Sequence, residues 1–175
     1  MNKGKQFEKM WRDSMPRDVY FLRLNDPAQS FVSPDALRFS LKNPFDCLMY
    51  RCPVLIAAEL KTTDAASFSF WREDFNKRTC MLKKEQVLAL ASAGKHPGVL
   101  AGFVLNFRRT GNVFFVPIVD FLRHTATLNK KSVNESDVRQ MAPIIIGSKK
   151  LKVNYLYDIG GLFNEARARI FDNFD

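Results

Sequence analysis

Hydrophobic and polar positions along the 175 residues alternate between two periods. A period near 3.6 marks helices packed on one face, and a period of two marks strands. Residues 3–15 carry Phe7, Met10, Trp11 and Ser14 on one stripe, with Lys5, Lys9, Arg12 and Asp13 largely elsewhere. They predict a first helix, closed by Pro16. Residues 19–24 predict a strand. Residues 26–42 are polar and turn-rich, with Pro27, Pro34 and several serines, and Arg23, Arg38 and Lys42 are carried toward the central hairpin. Residues 54–58 have the apolar make-up of a strand buried on both faces. Residues 62–69 read as a strand end and residues 70–78 as an irregular turn. Residues 82–93 predict a helix ended by Gly94, with Leu82, Val87, Leu90, Ala93 and also Gln86 on its apolar stripe.

The second half is built of shorter pieces. Residues 98–107 and 113–117 predict a hairpin whose tip, residues 108–112, holds Arg108 and Arg109. A short helix is expected at 118–124, then a basic loop at 127–132. Asn134 caps a helix running to Met141, with Asp137 in its first turn. Residues 143–146 and 151–157 read as strands joined by a basic turn, Gly147 to Lys150, and residues 162–174 as a closing amphipathic helix. This order predicts an α/β domain with a mixed central sheet flanked by helices.

The stretch Asn43 to Thr63 carries the candidate chemistry. Tyr50 to Pro53 reads as the turn of a hairpin. Folding about the midpoint between Cys52 and Pro53 sets Asp46 opposite Glu59, with Cα atoms about 5 Å apart. Glu59 and Lys61 share one face of their strand and Leu60 takes the other. Facing carboxylates repel, and a hard divalent cation such as Mg²⁺ relieves that repulsion with carboxylate, water and phosphate oxygens. Lys61 beside them can orient a water or stabilise charge on a phosphate, which together equips a site for phosphodiester hydrolysis. The same residues also suit an edge hairpin whose end has merely reached solvent. Glu8 alone suits a solvated helix face, Gln86 a satisfied core amide, and the paired arginines either a solvated tip or phosphate contacts.

Charge and cysteine content narrow the function classes. A net charge of +9 and pI near 9.6 favour a polyanionic partner over an acidic one. No apolar run approaches the ~20 residues of a membrane span, and the polar N-terminus does not read as a signal peptide. Three cysteines without CxxC spacing, and only two histidines, disfavour zinc and fit reduced thiols in a cytosol. The hydrophobic share of 46%, including 16 phenylalanines, is enough for one well-cored domain spanning residues 1–175.

Asp46, then Glu59-x-Lys61, then Gln86, with Glu8 on the first helix, resembles the PD-(D/E)xK restriction-endonuclease-like nucleases. The ordered set GKQFEKMW, NPFDCL, IAAELKTT, SFSF, LKKEQVLAL, GFVLNFR, VFFVPI and NYLYDIGGLF is similar to RecU-type Holliday-junction resolvases, phage-encoded relatives included. The resemblance implies a restriction-endonuclease-like core in which Asp46, Glu59 and the Leu60 backbone carbonyl bind Mg²⁺ or Mn²⁺. It further implies that Lys61 positions the attacking water, Gln86 supports the site, and Glu8 binds metal or orders a water. A homodimer would cut four-way DNA junctions by paired symmetric nicks in recombination and repair, in a bacterial or phage-infected cytoplasm. Lys3, Lys5, Arg38, Lys42, Arg108, Arg109, Lys149 and Lys150 are the expected DNA contacts. Residues 26–42 stand where the family carries a stalk, in a shorter or altered form. The family's proline before the aspartate is replaced by Phe45, with Pro44 one position early. Two other readings share these residues: a repair or restriction nuclease of the same superfamily, and a non-catalytic basic DNA-binding protein.

Overall fold

The structure, a computed structural model, describes residues 2–24, 43–74 and 79–171. Among the described residues, six strands form the central sheet: β1 (Tyr20–Arg23), β2 (Cys47–Arg51), β3 (Val54–Thr63), β5 (Val99–Phe107), β6 (Asn112–Pro117) and β8 (Ile144–Ile146), in that spatial order. The remaining strands are β4 (Ser67–Ser69), β7 (Ser132–Asn134), β9 (Ser148–Lys150) and β10 (Tyr155–Tyr157). Within the central sheet β3 and β5 run parallel, joined through the helix α2 (Lys84–Ala93), and the other neighbours are antiparallel. The expected mixed sheet flanked by helices is therefore present.

Period-two alternation sorts the sheet's side chains into two cores. Val54, Ile56, Ala58, Leu60, Val104, Val113 and Phe115 face α1 (Lys3–Asp13) and α5 (Ile159–Phe171), meeting Phe7, Met10, Trp11, Leu162 and Phe163. Ala57, Phe103, Leu105, Phe107, Phe114 and Val116 face α2 and α3 (Ile118–Thr127), meeting Val87, Leu90, Ile118 and Phe121. The phenylalanines of this second core touch edge to face, as in Phe68 with Phe107 at 4.9 Å and Phe103 with Phe121 at 5.1 Å. Close strand packing also fixes Gly102, where a Cβ would lie 2.2 Å from the Val116 carbonyl oxygen.

Several elements differ from the sequence reading, three of them in instructive ways. Ser148–Lys150, expected as a turn, is strand β9 and pairs with β10, while the chain reverses between them. The β10 backbone is held against α1: the Tyr157 N–H donates to Ser14 Oγ at 3.0 Å, and the Tyr155 N–H meets Met10 Sδ at 3.3 Å. That tertiary anchorage outweighs the turn-like composition of Gly147 to Lys150. Residues 67–69, expected as part of the strand end that follows Lys61, form a separate strand that pairs with β7 across 65 positions of chain, which local pattern cannot reveal. The last helix begins at Ile159 rather than Leu162, because Asp158 accepts the Gly161 N–H at 2.8 Å and stabilises a first turn containing two glycines. Its end as read from sequence lies partly outside the described residues, as does the excursion at 26–42.

Candidate active site

Strand β2 begins only at Cys47, opposite Ala58, while β3 continues to Thr63, so Glu59 to Thr63 have a strand neighbour only on the β5 side among the described residues. The vacated edge forms the floor of an open cleft of about 440 Å³, lined by Glu8, Asp46, Leu60, Lys61, Thr62, Asp64, Lys3 and Arg108 among others. The hairpin register, Cys47 with Ala58, carries Asp46 to the position facing Glu59. Asp46 is held there by its backbone, with its N–H on the Ala58 carbonyl at 3.2 Å and its own carbonyl accepting the Leu24 N–H at 2.9 Å. Its carboxylate Oδ2 accepts the Leu60 N–H at 2.8 Å, taking the place of the strand that has not yet begun.

Glu59 is 2% exposed and receives two donors on Oε1. One is the Lys61 ammonium, at 2.7 Å from the same face of the strand. The other is the Gln86 amide nitrogen, from α2. Gln86 is oriented by its own carbonyl oxygen, which accepts the Lys83 N–H at 3.1 Å in the first turn of that helix. Glu8 reaches the cleft from α1, on the opposite side of the sheet, and is ion-paired with Arg23 of β1. Together these elements place three carboxylates, one amide and two cations at one corner.

The electrostatics of the corner are strained toward protonation. Burial, then the nearby Asp46 charge, pushes the Glu59 carboxyl up to about 7, against the pull of Lys61. Burial also raises Glu8, with Arg23 opposing and Asp46 adding to the rise. Among the described residues no three acidic, histidine or cysteine side chains converge as a ready-made metal cage. The donor set nonetheless suits a hard divalent cation, which takes one or two carboxylates and completes its shell with water or phosphate. Asp46, Glu59 and the Leu60 carbonyl are the groups that would hold it.

Against known proteins, no family model matches the chain. It is 30% identical to the SPbeta prophage-derived uncharacterized protein YotM of Bacillus subtilis (strain 168), over 94% of this chain and 86% of that protein. The chain belongs to the YotM family. Among solved structures, it is similar to Hjc, a Holliday junction resolvase from Archaeoglobus fulgidus, with 17% identity and a TM-score of 0.46 over 78% of this chain and 93% of Hjc.

In this member of the YotM family the other expected contact residues divide into three groups among the described residues. Lys3 and Arg108 line the acidic cleft, Arg108 bound to Asp64 at 2.5 Å. Lys5 lies on the far side of Glu8, in a shallow depression shared with Lys9, Arg12 and Arg23. Arg109 is exposed at the β5–β6 tip, and Lys149 and Lys150 are exposed on β9, none of them lining that cleft. Arg38 and Lys42 lie outside the described residues. The sequence reading missed the pairing of Arg23 with Glu8 and that of Asp64 with Arg108. The first had a signal, since strand pairing places Arg23 opposite Cys47, next to Asp46. No helix among the described residues is long and apolar enough to cross a membrane.

Proposed function

We propose that this chain is a metal-dependent, structure-selective endodeoxyribonuclease that acts as a homodimer on four-way DNA junctions. The observation that carries the nuclease reading is the convergence of Asp46, buried Glu59 and Lys61 on the open edge of β3, with Gln86 and Glu8 closing the corner from opposite sides. Two carboxylates that face each other in partial burial, one of them pushed toward neutrality, need a cation to stay ionised together. A net charge of +9 supports a polyanionic substrate. The choice of a branched substrate rests on the ordered resemblance to RecU-type resolvases, and the prophage origin in the relative's name agrees with a phage-like member.

In this reading a bound Mg²⁺ or Mn²⁺ would polarise the scissile phosphate and acidify a water. The chain supplies the rest. Lys61, which lines the cleft with its ammonium against Glu59, orients the attacking water and stabilises charge building on the phosphate. Gln86 fixes the rotamer of Glu59. Glu8, steadied by Arg23, orders a water from the α1 side. Lys3 and Arg108 meet the flanking phosphates, and dimer symmetry places two such sites on two strands.

The test is a nicking assay on a synthetic four-way junction and on linear duplex, with and without Mg²⁺. Paired nicks confined to the junction and dependent on the ion are expected. Equal cutting of linear duplex would instead place the chain among repair or restriction nucleases. Junction binding without cleavage in either Mg²⁺ or Mn²⁺ would leave only a DNA-binding protein.

A further inference from the structure

A second cleft, about 240 Å³, adjoins the acidic one and shares Lys3, Thr62 and Arg108 with it. It lies on the α1 side of the sheet. Its floor is a row of three residues that the sheet register sets side by side: Thr62 of β3, Asn106 of β5 and Val113 of β6. Lys3, Gln6, Phe7 and Met10, at helical spacing along α1, form one wall, and Tyr155 of β10 forms the other. Backbone contacts from β10 to Met10 and Ser14 hold the two walls at a fixed separation.

Two polar groups in this cleft find nothing to bond among the described residues. Thr62 Oγ1 is buried without a partner there. Asn106 is 7% exposed, and no hydrogen bond joins its side chain to any described residue. Buried hydroxyls are otherwise almost always satisfied. The unpartnered Thr62 hydroxyl, beside an Asn106 amide that has no partner among the described residues and opens on the cleft, therefore leaves hydrogen-bonding capacity for something that enters it. A void kept by packing alone would be apolar and dry.

The chemistry selects the occupant. An amide offers a donor and an acceptor, which match the edge of a nucleobase. Tyr155, half-buried, offers a ring face for stacking, with Tyr157 lying nearly parallel to it at 6.5 Å between ring centres. Lys3 and Arg108 stand at the boundary between the clefts, where a phosphate joining a held base to a scissile linkage would pass. The volume falls below the roughly 300–1,000 Å³ of sites for drug-sized ligands, which suits a single base. Thr62 comes directly after Lys61 on β3, about 3.3 Å further along the strand and facing the other side of the sheet. An adjacent nucleotide could therefore reach over the open edge of β3.

We infer that this cleft receives one unstacked nucleobase of the DNA strand beside the scissile phosphate, with Asn106 and Thr62 bonding its edge and Tyr155 stacking on its face. The inference rests on the nuclease reading and deepens it. Paired, stacked duplex does not present such a base, whereas a branch point does at little cost, so the cleft favours distorted DNA.

The test reads base capture separately from hydrolysis. Four-way junctions carrying 2-aminopurine at successive positions around the branch are titrated with full-length protein in metal-free buffer. The wild type should change the fluorescence at one position, and Asn106→Leu and Thr62→Val should remove that change while anisotropy shows junction binding retained. Both variants should melt at or above the wild-type temperature, because each replaces an unpartnered polar group by an apolar one. In Mg²⁺, an abasic nucleotide at the responding position should slow wild-type cleavage roughly tenfold, in line with the loss of one base stack. The same abasic site should leave Asn106→Leu unaffected. A signal that persists in both variants, or no responding position in the wild type, overturns the inference. If the wild type captures the base but cuts nothing, the nuclease reading fails and the cleft stands. If it cuts normally with no Asn106 dependence, the cleft falls and the nuclease stands.

Discussion

Glu59 and Asp137 are both buried carboxylates with a lysine ammonium 2.7 Å away, yet their proton affinities move in opposite directions. Asp137 sits in the first turn of α4 (Glu135–Arg139). Burial opposes its ionisation, but hydrogen bonds from Lys130 and from the Asn134 N–H outweigh it, so its carboxyl falls below the ordinary range. Glu59 also has a lysine, and an amide besides, and is still driven up to about 7 by burial and by Asp46. Two differences decide it: Glu59 is desolvated more deeply, which is the larger cause, and it faces a second carboxylate. A structural acid is surrounded by donors alone, as at a helix N-terminus. Glu59 faces another acid as well, an arrangement that folding does not require and that an incoming cation would relieve.

The sharpest way to break this comparison is to remove one acid from the facing pair. Asp46→Asn or Glu59→Gln should abolish cleavage while junction binding stays near wild type, since the phosphate-contacting cations remain. Cleavage above a tenth of the wild-type rate in Mg²⁺, measured in single turnover, would show that the pair does not hold the ion.

The two lysines provide the next contrast. Lys61→Ala should remain folded and junction-binding but lose roughly 10²–10³ in rate, the effect of deleting one preorganised charge at a reacting centre. Lys61→Arg should rescue poorly, because a planar fork does not replace a compact ammonium. Lys130→Ala should leave the cleavage rate of folded protein unchanged. Rates for Lys61→Ala equal to wild type would return Lys61 to the status of a solvated strand end.

Stability should respond the other way round. Asp137→Ala removes the Asp137 half of a capping box along with its lysine contact, and should cost about 1–3 kcal/mol in chemical denaturation. Because the folded carboxyl of Asp137 titrates below its unfolded value, its stabilisation is present above the ordinary carboxylate range and is lost as pH falls through the folded value. The gap in stability between wild type and Asp137→Ala should therefore close on acidification. A gap that stays constant down to acid pH would mean that the charge of Asp137 contributes nothing.

The smallest expected effect is the most diagnostic of purpose. Glu59→Gln keeps an acceptor for Lys61 and Gln86 and removes the repulsion from Asp46. Melting of the ion-free protein should change by no more than about 0.5 kcal/mol in the destabilising direction. A loss several times larger would class Glu59 with Asp137, as an acid kept for the fold.

Much of the corner was legible because antiparallel hairpins are local. One turn at Cys52 and Pro53 sets every pair from Arg51 with Val54 to Cys47 with Ala58, so the opposition of Asp46 and Glu59 comes from counting. The stripe of α1 and the position of Gln86 on α2 were legible for the same reason, as helical spacing needs only neighbouring residues. Ser148 to Lys150 were misread because their strand exists only through β10, itself anchored to α1 across more than 130 positions of chain.

The sequence by itself determined the two periods, the chemistry of the acidic hairpin end and the positive charge that suits a nucleic acid. Tertiary structure alone decided which cations and amides meet those acids, and that β2 would fall short of the end of β3 and open its edge. It also decided the row of Thr62, Asn106 and Val113. That row depends on the parallel pairing of β3 with β5, whose register is set by how a crossover helix packs rather than by a turn. Contacts of that kind are fixed by the shapes of two buried faces, which no single stretch of chain encodes.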